Sequence, residues 1–242
     1  MGGGEPREKR PTAWITGASS GIGRAVAIEL EQAGWSIGAG SRDEPALRDL
    51  VSSFAQPERH AFAAVDVRRT ESVAAWTATL RAATGEPDAV IQCAGWGVFR
   101  KVVETTDEEW DRTIDTNLRG FFLVTRAVLP AMLERGDGRL LYILSVAART
   151  AFPKNAAYNA SKFGALGFVE ALRAEVRRAG VRVTAILPGA TETPFWDRLE
   201  GDWDRSKMMP PRAVARIVRE AAEAPGDALL EEVRIVPPLG NL

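Results

Sequence analysis

Tyr158 and Lys162 form the residue pair in this sequence that is best suited to proton transfer. They stand four positions apart in a segment of helical periodicity, which places a phenol and an ammonium group about one turn apart on one helix face. A tyrosine titrates near pH ~10, and a neighbouring cation favours its phenolate form. We expect Lys162 to lower the pKa of Tyr158 by about two to three, roughly 3–4 kcal/mol, so that the phenol exchanges protons near neutral pH. By itself, such a pair is also compatible with a solvated helix face.

Ser145 and Asn117 are further polar candidates for the same chemistry. Ser145 directly follows the apolar run Leu140 to Leu144, so its hydroxyl is expected at the carboxyl end of a strand, where parallel sheets bind ligands. The simpler alternative is a serine that caps its own loop. Asn117 falls inside a long helical segment that asparagine does not favour, which indicates a specific reason for its presence.

A glycine-rich turn, T-G-A-S-S-G-I-G at residues 16–23, follows the first predicted strand and opens the first predicted helix. Such a turn lets the backbone approach a pyrophosphate, and the start of the helix favours negative charge, so the sequence predicts dinucleotide binding here. The same letters fit the G-x-S-x-G turn of esterases, with Ser19 as nucleophile, but that chemistry needs a histidine well downstream. The single histidine, His60, begins an early strand and is expected to be structural. The esterase interpretation therefore ranks far below dinucleotide binding.

The end of the second predicted strand indicates which dinucleotide is bound. No acid stands at its tip, about 20 residues after the glycine turn, where a carboxylate would bind the ribose hydroxyl of NAD. Ser41 and Arg42 stand there instead and offer a hydroxyl and a guanidinium group suited to a 2′-phosphate. We therefore expect NADP(H) as the preferred cofactor, with NAD(H) as the alternative. Asp43 and Glu44 are close enough in sequence to pair with Arg42 instead.

Short β-rich runs that alternate with helical segments must position these residues, and they predict strand–helix–strand units around a parallel sheet. We expect an α/β fold of Rossmann type, a doubly wound, seven-stranded parallel sheet in three α/β/α layers. Residues 12–242 form one predicted domain after a flexible arm at 1–11, and a substrate loop is expected at about 193–211. The predicted strands are Ala13 to Thr16, Ser36 to Gly40, Ala61 to Val65, Ala89 to Cys93, Leu140 to Leu144, Val181 to Leu187 and Val233 to Val236. The predicted helices are Gly21 to Ala33, Pro45 to Phe54, Glu71 to Ala83, Asp107 to Glu134, Ala157 to Arg178, with Asn155 as a cap, and Arg212 to Ala224.

Several separated motifs together make the sequence resemble the short-chain dehydrogenase/reductase family from Thr12 to about Val236. They are the T-G-x-x-x-G-x-G turn, the Asp66-Val67 pair, the residues Cys93-Ala94-Gly95 in place of N-A-G, and a P-G-A-T-E-T element at residues 188–193. Gln92 and Cys93 stand where the family has asparagines. The resemblance implies a catalytic tetrad of Asn117, Ser145, Tyr158 and Lys162, with Asn117 relaying to Lys162 through water. It implies a cofactor site formed by Gly17, Ser19, Ser20, Gly21, Ile22, Gly23, Ser41, Arg42, Asp66, Val67, Cys93, Ala94, Gly95, Tyr158, Lys162, Pro188, Gly189, Thr191 and Thr193.

The predicted function is an oxidoreductase that transfers hydride between NADP(H) and a small-molecule carbonyl or secondary alcohol, with Tyr158 as general acid or base. One alternative is a 3-oxoacyl-[acyl-carrier-protein] reductase, although the chain lacks the V-D-G-G tail of those enzymes, and a small apolar or pteridine-like carbonyl fits as well. A non-catalytic dinucleotide-sensing protein is the alternative from another class. A homodimer or homotetramer is expected from the resemblance, and its contacts or, equally, the core are expected to include Phe121, Phe122, Leu166, Phe168 and Val169. Candidate substrate residues are Trp96, Ala147, Phe152, Asn155, Phe195 and Trp196.

Composition argues against several other classes of protein. The 31 Lys and Arg residues balance 32 Asp and Glu residues, for a formal net charge of −1, which gives no general attraction to nucleic acids or acidic membranes. One cysteine and one histidine leave no disulfide and no zinc cluster, so we expect no metal site and a reducing, cytoplasmic location. The apolar runs are shorter than the roughly 20 residues of a membrane span.

Overall fold

The apolar runs of the sequence form the strands of one parallel sheet in the computed structural model, which describes residues 10–240. The strand order is β3-β2-β1-β4-β5-β6-β7, with every neighbouring pair parallel. Central strands are buried on both faces, as parallel sheets require, which explains why they are continuously apolar. The strands are β1 (Thr12–Thr16), β2 (Ser36–Ser41), β3 (Ala61–Ala64), β4 (Ala89–Gln92), β5 (Gly138–Ile143), β6 (Val181–Pro188) and β7 (Glu232–Ile235).

Seven helices cover the two faces of the sheet within residues 10–240, so the predicted three-layer Rossmann-type fold is confirmed. One core unites the sheet with the first, second and last helices, and the other unites it with the third, fifth and sixth. Residues 1–9 of the predicted arm lie outside the described residues, and the assignment of one domain to residues 12–242 stays a prediction. The helices are α1 (Gly21–Gln32), α2 (Glu44–Ser52), α3 (Thr70–Thr84), α4 (Asp107–Ile114), α5 (Gly120–Arg135), α6 (Ala156–Val176) and α7 (Pro211–Glu223).

The long helix predicted from Asp107 to Glu134 is continuous but contains a π-helical turn. α4 begins with a capping box, in which Thr106 and Glu109 satisfy each other's backbone amides. A π-helical turn over Asp115–Arg119 then joins α4 to α5. Such a turn adds a residue to the helical spacing and is frequent at functional sites. Asn117 lies in this turn and is fully buried.

The segment predicted as a substrate loop is irregular. It contains two short 3₁₀ turns, Pro194–Arg198 and Arg205–Lys207, and no longer helix. Arg100 pairs with Glu200 of this loop at 3.0 Å and with Glu109 of α4 at 3.0 Å, which ties the loop to the body of the protein.

Three of the five residues proposed as subunit contacts belong to the core. Phe121, Leu166 and Val169 are buried in the described chain, so they cannot form a surface, whereas Phe122 is 41% exposed and its ring lies beside that of Phe168. The oligomeric state stays a prediction. Among residues 10–240, no helix is long and apolar enough to cross a bilayer, and no group of three potential metal ligands occurs.

Candidate active site

A cavity of about 720 Å³ opens at the carboxyl edge of the sheet and receives nearly all the residues singled out in the sequence. Loops after β1, β2, β3, β4, β5 and β6 line it together with α6, because the carboxyl ends of parallel strands meet at one edge. Asn117 does not line it, and its neighbour Thr116 does. The predicted residues that line the cavity are Gly17, Ser19, Ser20, Gly21, Ile22, Gly23, Ser41, Arg42, Asp66, Val67, Cys93, Ala94, Gly95, Trp96, Ser145, Ala147, Phe152, Asn155, Tyr158, Lys162, Pro188, Gly189, Thr191, Thr193, Phe195 and Trp196.

The glycine turn has the geometry of an anion-binding helix start. A Cβ on Gly23 would lie 2.2 Å from the carbonyl oxygen of Gly17, so only glycine allows the helix to approach the turn this closely. Ser20 occupies the cap position of α1, but its side chain makes no capping hydrogen bond with the described residues. The first amides of this 12-residue helix therefore face the cavity without a side-chain cap, as a phosphate site requires.

His60 has a structural role that leaves the esterase interpretation without its base. Its Nδ1 accepts a hydrogen bond from the backbone N–H of Ile37 at 3.0 Å, and its ring packs against Phe54. Burial lowers the pKa of His60. It is not among the residues that line the cavity around Ser19.

Arg42 is the residue at the end of β2 that remains available to a phosphate. The hydroxyl of Ser41 accepts from the N–H of Asp43 at 3.0 Å and donates to its carbonyl at 3.2 Å, so the expected free donor is used locally. Asp43 caps α2, and Glu44 pairs with Arg48 at 3.0 Å. Neither acid engages Arg42, which lines the cavity and makes no ion pair within residues 10–240.

Two further arginines, which sequence reasoning missed, lie near Arg42. Arg68 binds Asp66 through three side-chain hydrogen bonds of 2.6–3.2 Å, and this pairing lowers the pKa of the carboxyl. The guanidinium of Arg112, on α4, lies 4.6 Å from the ring centre of Trp96. All three arginines line a second hollow beside the main cavity, together with the acids Glu108, Asp111 and Asp115. Acidic and basic side chains are therefore equal in number there, and Arg42, which makes no ion pair among the described residues, remains available to a phosphate.

Ser145, Tyr158 and Lys162 line the same cavity. The Ser145 hydroxyl accepts a hydrogen bond from the N–H of Ala147 at 3.1 Å, so it caps its loop, and it is close enough to Tyr158 to influence the pKa of that hydroxyl. Lys162 is only 3% exposed, and its Nζ donates to the carbonyl of Ile143 at 3.2 Å. The same Nζ lies 5.6 Å from the ring centre of Tyr158.

The expectation that Lys162 lowers the pKa of Tyr158 is wrong for the protein alone. Burial raises the pKa of Tyr158 to about 12, and the neighbouring Ser145 hydroxyl offsets only part of this effect. Burial also lowers the pKa of Lys162 to about 8, while Cys93 acts in the opposite direction. Loss of hydration around the phenolate therefore outweighs the attraction of an ammonium group that faces the ring.

Asn117 holds the loop after β4 against α6. Its Oδ1 accepts from the N–H of Trp96 at 2.8 Å, while its Nδ2 donates to the carbonyl of Trp96 at 2.7 Å and to the Ser161 hydroxyl at 2.9 Å. The side chain is thus occupied by structural hydrogen bonds. Its predicted relay to Lys162 stays a prediction.

The loop after β6 is folded by its own threonines. The Thr191 hydroxyl donates to the carbonyl of Gly189 at 3.0 Å, and the Thr193 hydroxyl donates to that of Thr191 at 3.3 Å. The N–H of Gly189 donates to Ile235 of β7 at 2.7 Å. These bonds hold the loop beside the glycine turn, where a Cβ on Gly21 would lie 3.1 Å from the side chain of Thr193.

The remaining wall of the cavity is aromatic. Five rings, those of Phe99, Tyr158, Phe195, Trp196 and Trp203, form what we call the aromatic cluster. Phe99 is its centre, with ring centroids 5.8–6.2 Å from the other four. Phe195 and Trp196 were predicted, whereas Phe99 was missed because it stands in an irregular segment without periodicity. Trp96 lies apart, against Arg112.

The backbone leaves room for this cluster at Gly97. A Cβ there would lie 2.7 Å from the ring of Tyr158 and 3.0 Å from that of Phe195. Because Gly97 has no side chain, the rings of Tyr158 and Phe195 pack directly on the backbone of its loop.

Comparisons with known proteins agree with this geometry. A family model described as short chain dehydrogenase matches residues 11–203. Sepiapterin reductase of Chlorobaculum tepidum is 31% identical over 248 aligned residues, which cover 94% of this chain and 96% of that protein. An alcohol dehydrogenase from the archaeon Thermococcus sibiricus, solved with 5-hydroxy-NADP, is 27% identical with a TM-score of 0.88 and covers 96% of this chain and 99% of its own. Actinorhodin polyketide ketoreductase, solved with NADPH, is 29% identical with a TM-score of 0.87 and covers 98% and 100%.

Proposed function

The chain belongs to the short-chain dehydrogenase/reductase family of oxidoreductases, and we propose that it uses NADP(H) to interconvert a small-molecule carbonyl compound and its secondary alcohol. The observation that carries this proposal is that Ser145, Tyr158 and the buried Lys162 line the same cavity as the glycine turn. Hydride transfer between NADP(H) and a carbonyl compound needs proton-transfer groups and a dinucleotide-binding turn at the same edge of the sheet.

The residues present fit NADP(H). The uncapped start of α1 would hold the pyrophosphate, with Gly23 allowing the close approach. Arg42, free of any ion pair among the described residues, would bind the 2′-phosphate. Thr191 and Thr193 would orient the carboxamide, and Cys93, Ala94 and Gly95 would pack around the adenosine ribose. When bound, the reduced cofactor supplies a hydride.

The protein's own residues would supply the proton and stabilise the developing charge. With a pKa of about 12, Tyr158 is a neutral phenol at physiological pH and so carries the proton that a reduced carbonyl oxygen must receive. Ser145 would donate a hydrogen bond to the same oxygen as negative charge develops on it. Lys162 would stabilise the phenolate left behind. The raised pKa favours reduction near neutral pH, whereas alcohol oxidation, which needs the phenolate, is expected to accelerate as pH rises.

The two tyrosines of the chain allow a matched test. Tyr158→Phe is expected to lower kcat for carbonyl reduction by about 10²–10⁴-fold while leaving NADPH binding unchanged, because only the proton donor is removed. Tyr142→Phe is the control: that hydroxyl is buried in the core, where it bonds to Thr125 at 2.7 Å. Turnover by the Tyr158 variant equal to wild type would refute the proposed role.

Wild-type protein tests the competing interpretation, which is a dinucleotide-sensing protein without turnover. If wild-type protein binds NADPH in a calorimetric titration but oxidises no NADPH with any compound of a broad carbonyl panel, the sensor interpretation is supported. The proposed enzymatic function is then overturned.

A further inference from the structure

Asn155 is a buried amide whose side chain makes no hydrogen bond with any described residue. It is only 8% exposed and lines the cavity, and its Oδ1 has no partner. The sequence suggested it as the cap of α6, but its side chain makes no capping bond. Its backbone is fixed, because its N–H donates to Phe152 at 3.3 Å and its carbonyl accepts from Asn159 at 2.7 Å. Only the side-chain amide is left unused.

Asn159, one turn along the same helix, shows what a structural asparagine looks like here. It has the same 8% exposure, but its Oδ1 accepts from the N–H of Phe152 at 3.1 Å and its Nδ2 donates to the carbonyls of Ala147 and Thr150 at 2.7 and 2.8 Å. Buried polar groups are nearly always satisfied in this way, and an unsatisfied one destabilises the protein by about 1–3 kcal/mol. The contrast indicates that the partner of Asn155 is a ligand.

The position of Asn155 indicates that the group it binds lies near the carbonyl that reacts at Tyr158. Asn155 is the residue before α6 and Tyr158 is the third residue of that helix, and both line the same cavity. A molecule whose carbonyl oxygen meets Tyr158 therefore presents a neighbouring group to Asn155.

The aromatic cluster indicates the shape of the same molecule. The four rings beside that of Tyr158 line the same cavity as the phenol, with Phe195 centred 5.8 Å from Tyr158 and Trp196 4.9 Å from Trp203. Flat rings pack favourably against such walls in stacked or edge-to-face contact, worth about 0.5–1.5 kcal/mol per ring pair beyond their area. Puckered saturated rings gain no such contact.

Resting on the proposed function, we propose that the substrate is a planar, conjugated ring compound that carries a hydrogen-bond donor, such as a ring N–H, near its reducible carbonyl, and that the Oδ1 of Asn155 accepts from this donor. Asn155 is thus a specificity-determining residue, and the aromatic cluster selects the flat ring.

Isatin and N-methylisatin test the role of Asn155, because they differ only in the ring N–H next to the dicarbonyl unit. Wild type is expected to favour isatin, and Asn155→Ala is expected to reduce the ratio of the two kcat/KM values by about 10-fold, the effect of one buried hydrogen bond. Asn155→Ala should not lower the melting temperature, since it loses no internal bond, whereas Asn159→Ala should lower it. An unchanged substrate ratio in Asn155→Ala overturns this role.

Acetophenone and cyclohexyl methyl ketone test the aromatic cluster, because their carbon skeletons differ only in ring saturation. Phe99→Leu keeps apolar bulk at the centre of the cluster and is expected to reduce the preference for acetophenone over its saturated counterpart by about 3–10-fold relative to wild type. The intrinsic reactivities of the two ketones cancel in this comparison. An equal preference in both proteins overturns the selection of a flat ring. Should Phe99→Leu not fold, Trp203→Leu addresses the same wall.

Calorimetry separates failure of this inference from failure of the proposed function. The dissociation constants of isatin and N-methylisatin are measured on wild type and Asn155→Ala saturated with NADP⁺. If wild type reduces no ketone, the proposed function fails, and the ratio of dissociation constants still decides the recognition by Asn155. If wild type reduces the ketones but Asn155→Ala keeps both ratios, only the present inference fails.

Discussion

Replacing Lys162 with methionine is expected to stabilise the protein while impairing its activity. The side chain is 3% exposed, and burial lowers its pKa from 10.5 to about 8. The folded state therefore disfavours the ammonium form by roughly 3 kcal/mol at pH 7. Methionine fills a similar volume without charge, and loss of the bond to Ile143 costs about 1 kcal/mol. A net gain of about 1–3 kcal/mol in unfolding free energy is expected at pH 7.

The pH dependence of this gain identifies its cause. A lysine with a lowered folded pKa destabilises the protein fully below pH 8, and the effect disappears as pH approaches 10.5. The difference between variant and wild type should therefore shrink toward zero over that window. The difference, rather than the wild-type curve, is diagnostic, because burial also raises the pKa values of Cys93, Tyr142 and Tyr158, whose titration in the unfolded chain destabilises the protein at alkaline pH.

Urea unfolding at a series of pH values from 7 to 10.5, without added dinucleotide, measures both quantities. Lys101→Met is the matched control, since that side chain is 63% exposed and its removal should change stability by less than about 1 kcal/mol at every pH. A Lys162→Met protein that is less stable than wild type at pH 7, or a gain that is constant with pH, would refute the reasoning.

Three other substitutions probe the cofactor end of the site and the loop behind it. Arg42→Ala should lower kcat/KM for NADPH by about 10–100-fold and leave that for NADH unchanged, with the exposed Arg48→Ala as control; equal losses for both cofactors would contradict phosphate recognition. Gly23→Ala should abolish calorimetric NADPH binding, because its Cβ would meet backbone at 2.2 Å, whereas Gly167→Ala, with nothing within 4 Å, should bind normally. Asn117→Ala removes three hydrogen bonds and should lower the unfolding free energy by about 2–4 kcal/mol; a smaller loss in a denaturation experiment would argue against its role in holding the loop.

Local patterns in the sequence were sufficient to predict the architecture. The inner strands are apolar runs bounded by turn residues, as parallel strands buried on both faces require, whereas the edge strand β7 alternates polar and apolar residues. The neighbourhood of Tyr158 and Lys162 follows from helical spacing alone, and the place of Ser145 follows from its position after β5. The π-helical turn around Asn117 was not predictable in this way, because its periodicity differs by one residue from that of an ordinary helix.

Properties that depend on tertiary surroundings could not be derived from the sequence. The direction of the Tyr158 pKa shift depends on how many protein atoms surround the phenol, which spacing along a helix does not reveal. Phe99 became the centre of the aromatic cluster through packing of two irregular loops. Asp66 pairs with Arg68, and the hydroxyl of Ser41 bonds to Asp43. In both cases several possible partners are near in sequence, and only the tertiary structure shows which one is used.

The indole groups around the cavity make the protein its own optical reporter. Trp96, Trp196 and Trp203, three of the seven tryptophans, line the space that the dinucleotide and substrate would share. Indole emission overlaps the absorption band of reduced nicotinamide, so energy transfer from these residues should quench their luminescence when the reduced cofactor binds and restore it when the cofactor is oxidised. Occupancy and turnover of the site can thus be followed in one cuvette, without any label.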